Sequence, residues 1–276
     1  MVACDRRAWD HFGMRQGSET ALRVVAGALA ATCLAAVLSL GAARADPRDD
    51  FFANRSRSCP KCDLAGADFK RRDLAGADLA GANLRGANFH DAQLAGAKLA
   101  GADLTGANLN KSNLAGADLS RAVLREAMLY AAILDRATLA GADLTGALMG
   151  TARLTRSDLA GARLRDADLR KTRLVETIFS GADLTGAALD RAFVRGARLD
   201  HAVLANTRLM EAQLIDTSLA GADLTDADLR GAELRGVDLK GTDLTRATLL
   251  RSTLQATSLD GAVLGDTVMP DGTRRP

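Results

Sequence analysis

The sequence predicts an all-β solenoid, one rod built from a short unit repeated without a break. Three observations predict it. From Leu64 to Met269 every fifth residue is large and apolar, 42 positions in one register; 36 are Leu and the others are Phe69, Phe89, Met149, Phe179, Val194 and Met269. Two residues before each lies a second register (62, 67, 72 and onward to 267), where 29 of 42 residues are Ala and Arg72 is the one long side chain. Pro is absent from 61 to 269, as a continuous backbone ladder requires. A period of five matches neither a helix, at about 3.6, nor a strand, at about 2.0. Frequent Gly also argues against a long helix. A unit that turns a corner every five residues satisfies the pattern, with its Leu and its small residue pointing inward.

The composition agrees. Of 276 residues 47% are hydrophobic but only 3% aromatic, so the core must pack small side chains regularly. A formal charge of +2 argues against a polybasic nucleic-acid binder and against an acidic disordered tail.

In chain order, residues 1–45 read as an export signal. Arg6, Arg7, Arg15 and Arg23 precede an apolar run from Val24 to Leu40, and Ala43-Arg44-Ala45 stands before Asp46. A charged segment, an apolar segment and a small-residue site predict a signal peptide cleaved after Ala45 and a periplasmic or secreted protein. An uncleaved anchor is the alternative, and Met14 is an alternative start. The mature chain would hold 31 basic and 31 acidic residues, no transmembrane span, and only Cys59 and Cys62 in an oxidising compartment. Residues 46–62 form an N-terminal cap segment with a C-x-x-C, and the pair Phe51-Phe52 suits a short helix laid over the first coil.

The unit itself is A-(D/N)-L-x-G, as in Ala77-Asp78-Leu79-Ala80-Gly81. Over residues 63–269 the chain thereby resembles the pentapeptide-repeat family. The resemblance implies a right-handed quadrilateral parallel β-helix of about ten coils, each made of four walls, roughly 50 Å long at about 4.8 Å per coil. Small residues suit the second register because the inward Leu crowd a narrow lumen. Gly after the outward residue suits a corner that needs positive φ. A longer period lies inside the short one. GADLTGA at 101–107 recurs at 141–147 and 181–187, and as GADLTDA at 221–227; Leu-Arg recurs at 84–85, 124–125 and 164–165. This reads as duplication of a two-coil cassette. After Met269 only the tail 270–276 remains, so the last coil is expected to be uncapped and available for an end-to-end homodimer.

Cys59-Pro60-Lys61-Cys62 allows a redox pair or a structural disulfide. Phase favours the structural role: Cys59 falls on the Leu register and Cys62 on the Ala register, both inward. No βαβ pattern surrounds them, and two thiols without further ligands make an incomplete zinc site. His90 and His201 stand 111 residues apart, too far to share a proton relay. No catalytic residue, metal site or cofactor is expected.

Sorting the units by position within a coil predicts unequal walls. One wall, through Leu79, Leu99 and Leu119, is flat and small outside. Another, through Phe69, Phe89, Leu109, Leu129 and Met149, is rich in Lys and Arg and carries Met128, Tyr130 and Leu148 outward, with Ile133 and Phe193 on the next wall. These five form the candidate interaction patch. The function expected is a non-catalytic exported scaffold that binds a protein or envelope component along one wall, with no direct nucleic-acid partner. The alternative, implied by the resemblance, is a cytoplasmic DNA mimic that binds an enzyme such as DNA gyrase. The neutral charge and the interrupted acidic columns weigh against that alternative.

Overall fold

The computed structural model describes residues 46–276, and the predicted leader 1–45 lies outside them. Each unit lays its Leu into the lumen and then turns a corner over the next two residues. The second of these takes a left-handed φ, as at Gly76 (+66°) and Gly81 (+65°), and the corner closes with a hydrogen bond such as Ala77 N–H to Leu74 O, 3.0 Å. This is the geometry of a type II turn, for which Gly is the natural occupant. Asp or Asn before the Leu caps the same corner: Oδ1 of Asp78, Asp103 and Asp143 accepts from the amide two residues on, at 3.2, 3.0 and 3.1 Å. The repeated carboxylates are thus turn-forming groups.

Coils stack through a constant offset. Leu64 N–H donates to Asn83 O at 2.8 Å and Asn83 N–H to Cys62 O at 2.9 Å. Parallel bridges join residues 20 apart, so Ser58, Asp78, Lys98, Asp118, Thr138, Asp158, Ile178, Arg198, Ser218 and Asp238 form one continuous ladder over ten coils. Three further ladders complete each coil. We number the walls from the Leu they carry: wall 1 through Leu64 and Leu84, wall 2 through Phe69 and Phe89, wall 3 through Leu74 and Leu94, wall 4 through Leu79 and Leu99. The lumen is dry and full, its Leu and Ala from Ala77 to Leu109 showing 0% exposure. Burying each Leu contributes about 1.5–3 kcal/mol, an upper figure.

Wall 3 changes character midway. From Arg173–Val175 (β1) through Phe193–Arg195 (β2), Gln213–Ile215 (β3), Glu233–Arg235 (β4) and Thr253–Gln255 (β5) it becomes a five-stranded parallel sheet. After Leu174, Val194, Leu214 and Leu234 the corner hydrogen bond does not form. Two residue changes accompany this. Val175 and Ile215 stand where earlier coils carry Ala75, Ala95 and Ala115, and β-branched residues favour extended backbone. Thr also enters the small register. Its hydroxyl donates to a carbonyl of the preceding coil: Thr177 to Leu154 O at 2.7 Å, Thr217 to Val194 O at 3.3 Å, Thr257 to Leu234 O at 3.1 Å. For Val194 and Leu234 this adds to the ladder bond from the next coil, made through the Arg195–Ile215 and Arg235–Gln255 pairs, that takes the place of the corner bond.

Both ends are finished differently from the middle. A short helix, Pro47–Phe52 (α1), places Phe51 edge-on to Phe69 (5.8 Å between centroids) and stacks Phe52 on the same ring (5.7 Å), while Phe69 stacks on Phe89 (5.0 Å). At the far end the expectation of an uncapped coil with a plain tail needs correction. Thr267–Val268 (β6) pairs antiparallel with Arg274–Arg275 (β7), Met269 N–H donates to Thr273 O at 2.7 Å, and Arg274 pairs with Asp266 at 2.8 Å. Pro270-Asp271-Gly272 supplies the turn chemistry that brings the chain back. Only part of the last coil is covered: Leu254, Leu259 and Leu264 stay partly exposed.

Candidate functional site

The residues flagged from sequence fall in three places. Cys59 and Cys62 are joined in a disulfide across the first corner of wall 4, Cα atoms 5.4 Å apart, Cys59 fully buried and Cys62 half-buried. Met128 and Leu148 are bridge partners on wall 2, one directly above the other, with Tyr130 at the corner between walls 2 and 3. Leu148 is 49% and Tyr130 54% exposed. Ile133 lies around that corner on wall 3, half-buried, and Phe193 is not part of the same cluster. The column runs Ile133, Arg153, Arg173, Phe193, so Phe193 stands three coils away, with the Arg173 guanidinium 5.5 Å from its ring centroid.

Around Tyr130 three local rules are broken together. Met128 cannot cap its corner as Asp or Asn would, and the Tyr130 amide is instead capped by Asn110 Oδ1 from the coil below, at 2.8 Å. Gly150 sits one place early, outside the left-handed region, and a Cβ there would meet the Tyr130 ring at 3.5 Å. Thr151 takes the left-handed corner instead, φ 58°, the one β-branched residue to do so among those described. The other wall 2 corner pairs, such as Asn110-Lys111, Arg170-Lys171 and Asp190-Arg191, have neither Gly first nor a β-branched residue second. A β-branched residue at positive φ is costly, and Gly150 lies against the Tyr130 ring, where a Cβ would make an ordinary contact. Arg153, one wall on, shows the same compensation: the Thr155 amide is capped by Asp135 Oδ1 at 3.0 Å.

The walls carry unequal charge. Outward positions of wall 1 hold five basic and ten acidic residues, those of wall 2 nine basic and six acidic. On wall 1 the two-coil cassette builds one repeated ion pair: Arg85 to Asp103, Arg125 to Asp143 and Arg165 to Asp183, at 3.2, 3.6 and 2.5 Å. Burial pushes the Asp183 carboxyl up, but the Thr185 hydroxyl, Arg165 and the Thr185 amide outweigh it and hold the group below the ordinary range. In the fourth copy Ala205 stands where Arg would, and Asp223 lies in register with Asp243. On wall 2 the Arg170 hydrogen bonds lower the Asp168 pKa against a smaller opposing effect of burial. Among the described residues no group of three or more His, Cys, Asp or Glu is placed to hold a metal ion.

Two features escaped sequence reasoning. Arg72 was visible as the one long residue in the small register, but only the fold shows that it reaches α1. The Gly150-Thr151 pair was also visible, but only the fold shows that it lies against the ring of Tyr130, one coil below.

A filled lumen of Leu and Ala, with every distinctive side chain on the outside, defines a parallel β-solenoid whose surface is four addressable walls. Models of known families place it further: the description "Pentapeptide repeats (8 copies)" matches residues 62–101, 87–125, 102–139, 132–174, 177–214 and 207–246. The chain belongs to the pentapeptide-repeat family. Among solved structures it is similar to HetL, a pentapeptide repeat protein involved in heterocyst differentiation regulation from the cyanobacterium Nostoc sp. strain PCC 7120, at 32% identity and a TM-score of 0.49, over 82% of this chain and 96% of that one. A pentapeptide repeat protein of the Arabidopsis thaliana thylakoid lumen is 36% identical over 39% of this chain and 72% of its own, with a TM-score of 0.36. QnrB1, a plasmid-mediated fluoroquinolone resistance protein, is 21% identical over 78% of this chain and 89% of its own, with a TM-score of 0.33. No curated protein sequence matches the chain.

Proposed function

We propose that the protein is a non-catalytic scaffold, exported through its leader, that holds a protein or envelope partner on wall 2 around Tyr130. The observation that carries this reading is the strained corner at Thr151. It holds a β-branched residue at φ 58° next to an aromatic ring that is more than half exposed. Strain of this kind persists where surrounding structure over-determines it, and it clusters at functional positions. Met128 and Leu148, stacked in register beside the ring, supply apolar area of the kind that marks partner surfaces. The DNA-mimic alternative gains no support from the wall 1 column, where Val123, Arg163 and Val203 interrupt the Asp residues.

The test uses the full chain in its own cell, with a photo-crosslinking residue at Leu148 or at Ala140 on wall 4. A discrete crosslinked product from position 148 alone, lost in Tyr130→Ala, supports the reading; equal products from both walls, or none, overturn it. Export is checked on the same material, with Asp46 expected as the N-terminal residue of the extracytoplasmic form. The partly open last coil is the surface on which two rods would pair end to end. Sedimentation should then show a dimer that Leu259→Asp abolishes.

A further inference from the structure

Around β1 and β2, the outer face of wall 3 and the corner leading into it from wall 2 carry more positive charge than their own carboxylates neutralise. Arg153 and Arg173 are bridge partners, so two guanidinium-bearing residues lie one coil apart in a single column. Like charges directly opposite each other in a sheet destabilise it. Arg153 is balanced by a salt bridge to Asp135. Arg173 has only the Phe193 ring beneath its guanidinium. Lys171, at the corner two residues earlier, is in no salt bridge among the described residues, and Arg195 interacts with Glu176 only at a distance, because that carboxylate is taken by Arg156 at 2.8 Å. Other cations nearby are matched: Arg170 with Asp168, Arg191 with Glu211, Arg208 with Asp190. Three cations are therefore left over on two adjacent coils of wall 3 and its corner, around Phe193, with Tyr130 at the corner two coils below.

We infer that this face docks an acidic segment of a protein partner, its carboxylates meeting Lys171, Arg173 and Arg195 and its apolar side chains resting on Tyr130 and Phe193. The inference rests on the wall 2 reading and names the chemistry of its partner. A protein segment fits better than a nucleic acid because the cations occupy only two adjacent coils, one step of about 4.8 Å along the axis, and lie beside apolar side chains. A nucleic-acid site would instead present a long charged track with repeated stacking groups.

The probe is a pool of random dodecapeptides displayed on phage, selected on the full chain and measured afterwards as free peptides. The expected result is enrichment of peptides that combine Asp or Glu with an aromatic or aliphatic residue. Their affinity should fall at least tenfold in Lys171→Glu and in Arg195→Glu, fall again with added salt, and stay unchanged in Lys98→Glu on wall 4. Both reversed residues are exposed, and an unchanged melting temperature confirms that each variant is folded. Enriched peptides without acidic bias, or binding that Tyr130→Ala abolishes but charge reversal leaves intact, would overturn the inference while leaving the wall 2 reading standing. Preferential capture of a 12-nucleotide single strand at the same residues would overturn it in favour of a nucleic-acid partner. Loss of the position-148 crosslink together with all peptide binding would overturn both.

Discussion

The guanidinium of Arg72 donates a 2.6 Å hydrogen bond to the Phe51 carbonyl while lying 5.5 Å from the centroid of the Phe51 ring. It also donates to Phe52 O at 3.1 Å and to Asn54 Oδ1, and it lies 5.6 Å from the ring of Phe69. One side chain thus ties the C-terminal carbonyls of α1 to the first wall 2 ring, Phe51 O also accepting from the Asn54 amide at 3.2 Å. Arg72→Ala should release α1 and lower stability by about 1.5–3 kcal/mol, the range for hydrogen bonds to a charged group. Arg72→Lys should rescue little, since an ammonium lacks the planar fork and the stacking face. Hydrogen exchange of residues 49–56 together with thermal melts will read both.

Exchanging the corner pair makes a sharper test of wall 2. Gly150→Thr with Thr151→Gly puts Gly at the left-handed position and relieves a β-branched residue at φ 58°. Stability should rise by about 1–2 kcal/mol. The Tyr130 ring should at the same time be displaced by the new side chain, and partner crosslinking at position 148 should fall. A variant that is more stable yet binds as well as the parent would remove the reason offered for the strain.

On wall 3 the buried Thr hydroxyls should matter more than those outside. Thr217→Val removes a buried hydroxyl bond to Val194 O, a carbonyl that keeps its ladder bond from the next coil, and should cost about 0.5–1.5 kcal/mol. Thr145→Val removes a part-buried outer bond to Asp143 and should stay within about 0.5 kcal/mol. Denaturant midpoints of the two variants provide the comparison.

The cysteine pair closes a very short loop. A chain-entropy estimate for a sequence separation of 3 gives about 2 kcal/mol. Reductant should lower the melting temperature modestly, and Cys59→Ser with Cys62→Ser should make it insensitive to reductant. Dithiol exchange with a small disulfide substrate, if observed, would point to a redox role instead.

Acid should weaken the rod through its outer ion pairs. Arg170 lowers the Asp168 pKa, Arg246 that of Asp226, and Arg156 that of Glu176. Carboxyls lowered on folding stabilise when ionised. Their contribution is complete above the unfolded values near about 4 and is lost as pH falls through the folded ones. The melting temperature should be level from about pH 5 to 8 and decline below about pH 4. Asp168→Asn with Asp226→Asn should blunt that decline, a difference that circular dichroism melts will show.

How legible was this molecule? The five-residue period displayed the lumen directly, because in a coil this narrow every inward position must be Leu-sized or Ala-sized and no other contact competes. The period also set which wall each residue occupies, so Met128 under Leu148 could be read by counting in twenties. The opening of wall 3 at Arg173 was less legible. Val175 and Thr177 signal it, but only once it is known that the Thr177 hydroxyl meets a carbonyl of the preceding coil. The antiparallel return of β7 was not legible at all: Arg274 and Arg275 look like any charged terminus, and their pairing depends on β6 being left without a following coil.

Sequence alone determined the repeat, the inward registers and the columns, since each follows from a period that stacking preserves from coil to coil. Tertiary structure decided what those columns mean. Asp and Asn before each Leu turned out to be corner caps, Arg72 the tie between α1 and the first coil, and Gly150 the floor beneath Tyr130. The physical reason is common to all three. Each depends on side chains about twenty residues apart meeting across one coil spacing of roughly 4.8 Å, a proximity that closure of the coil creates.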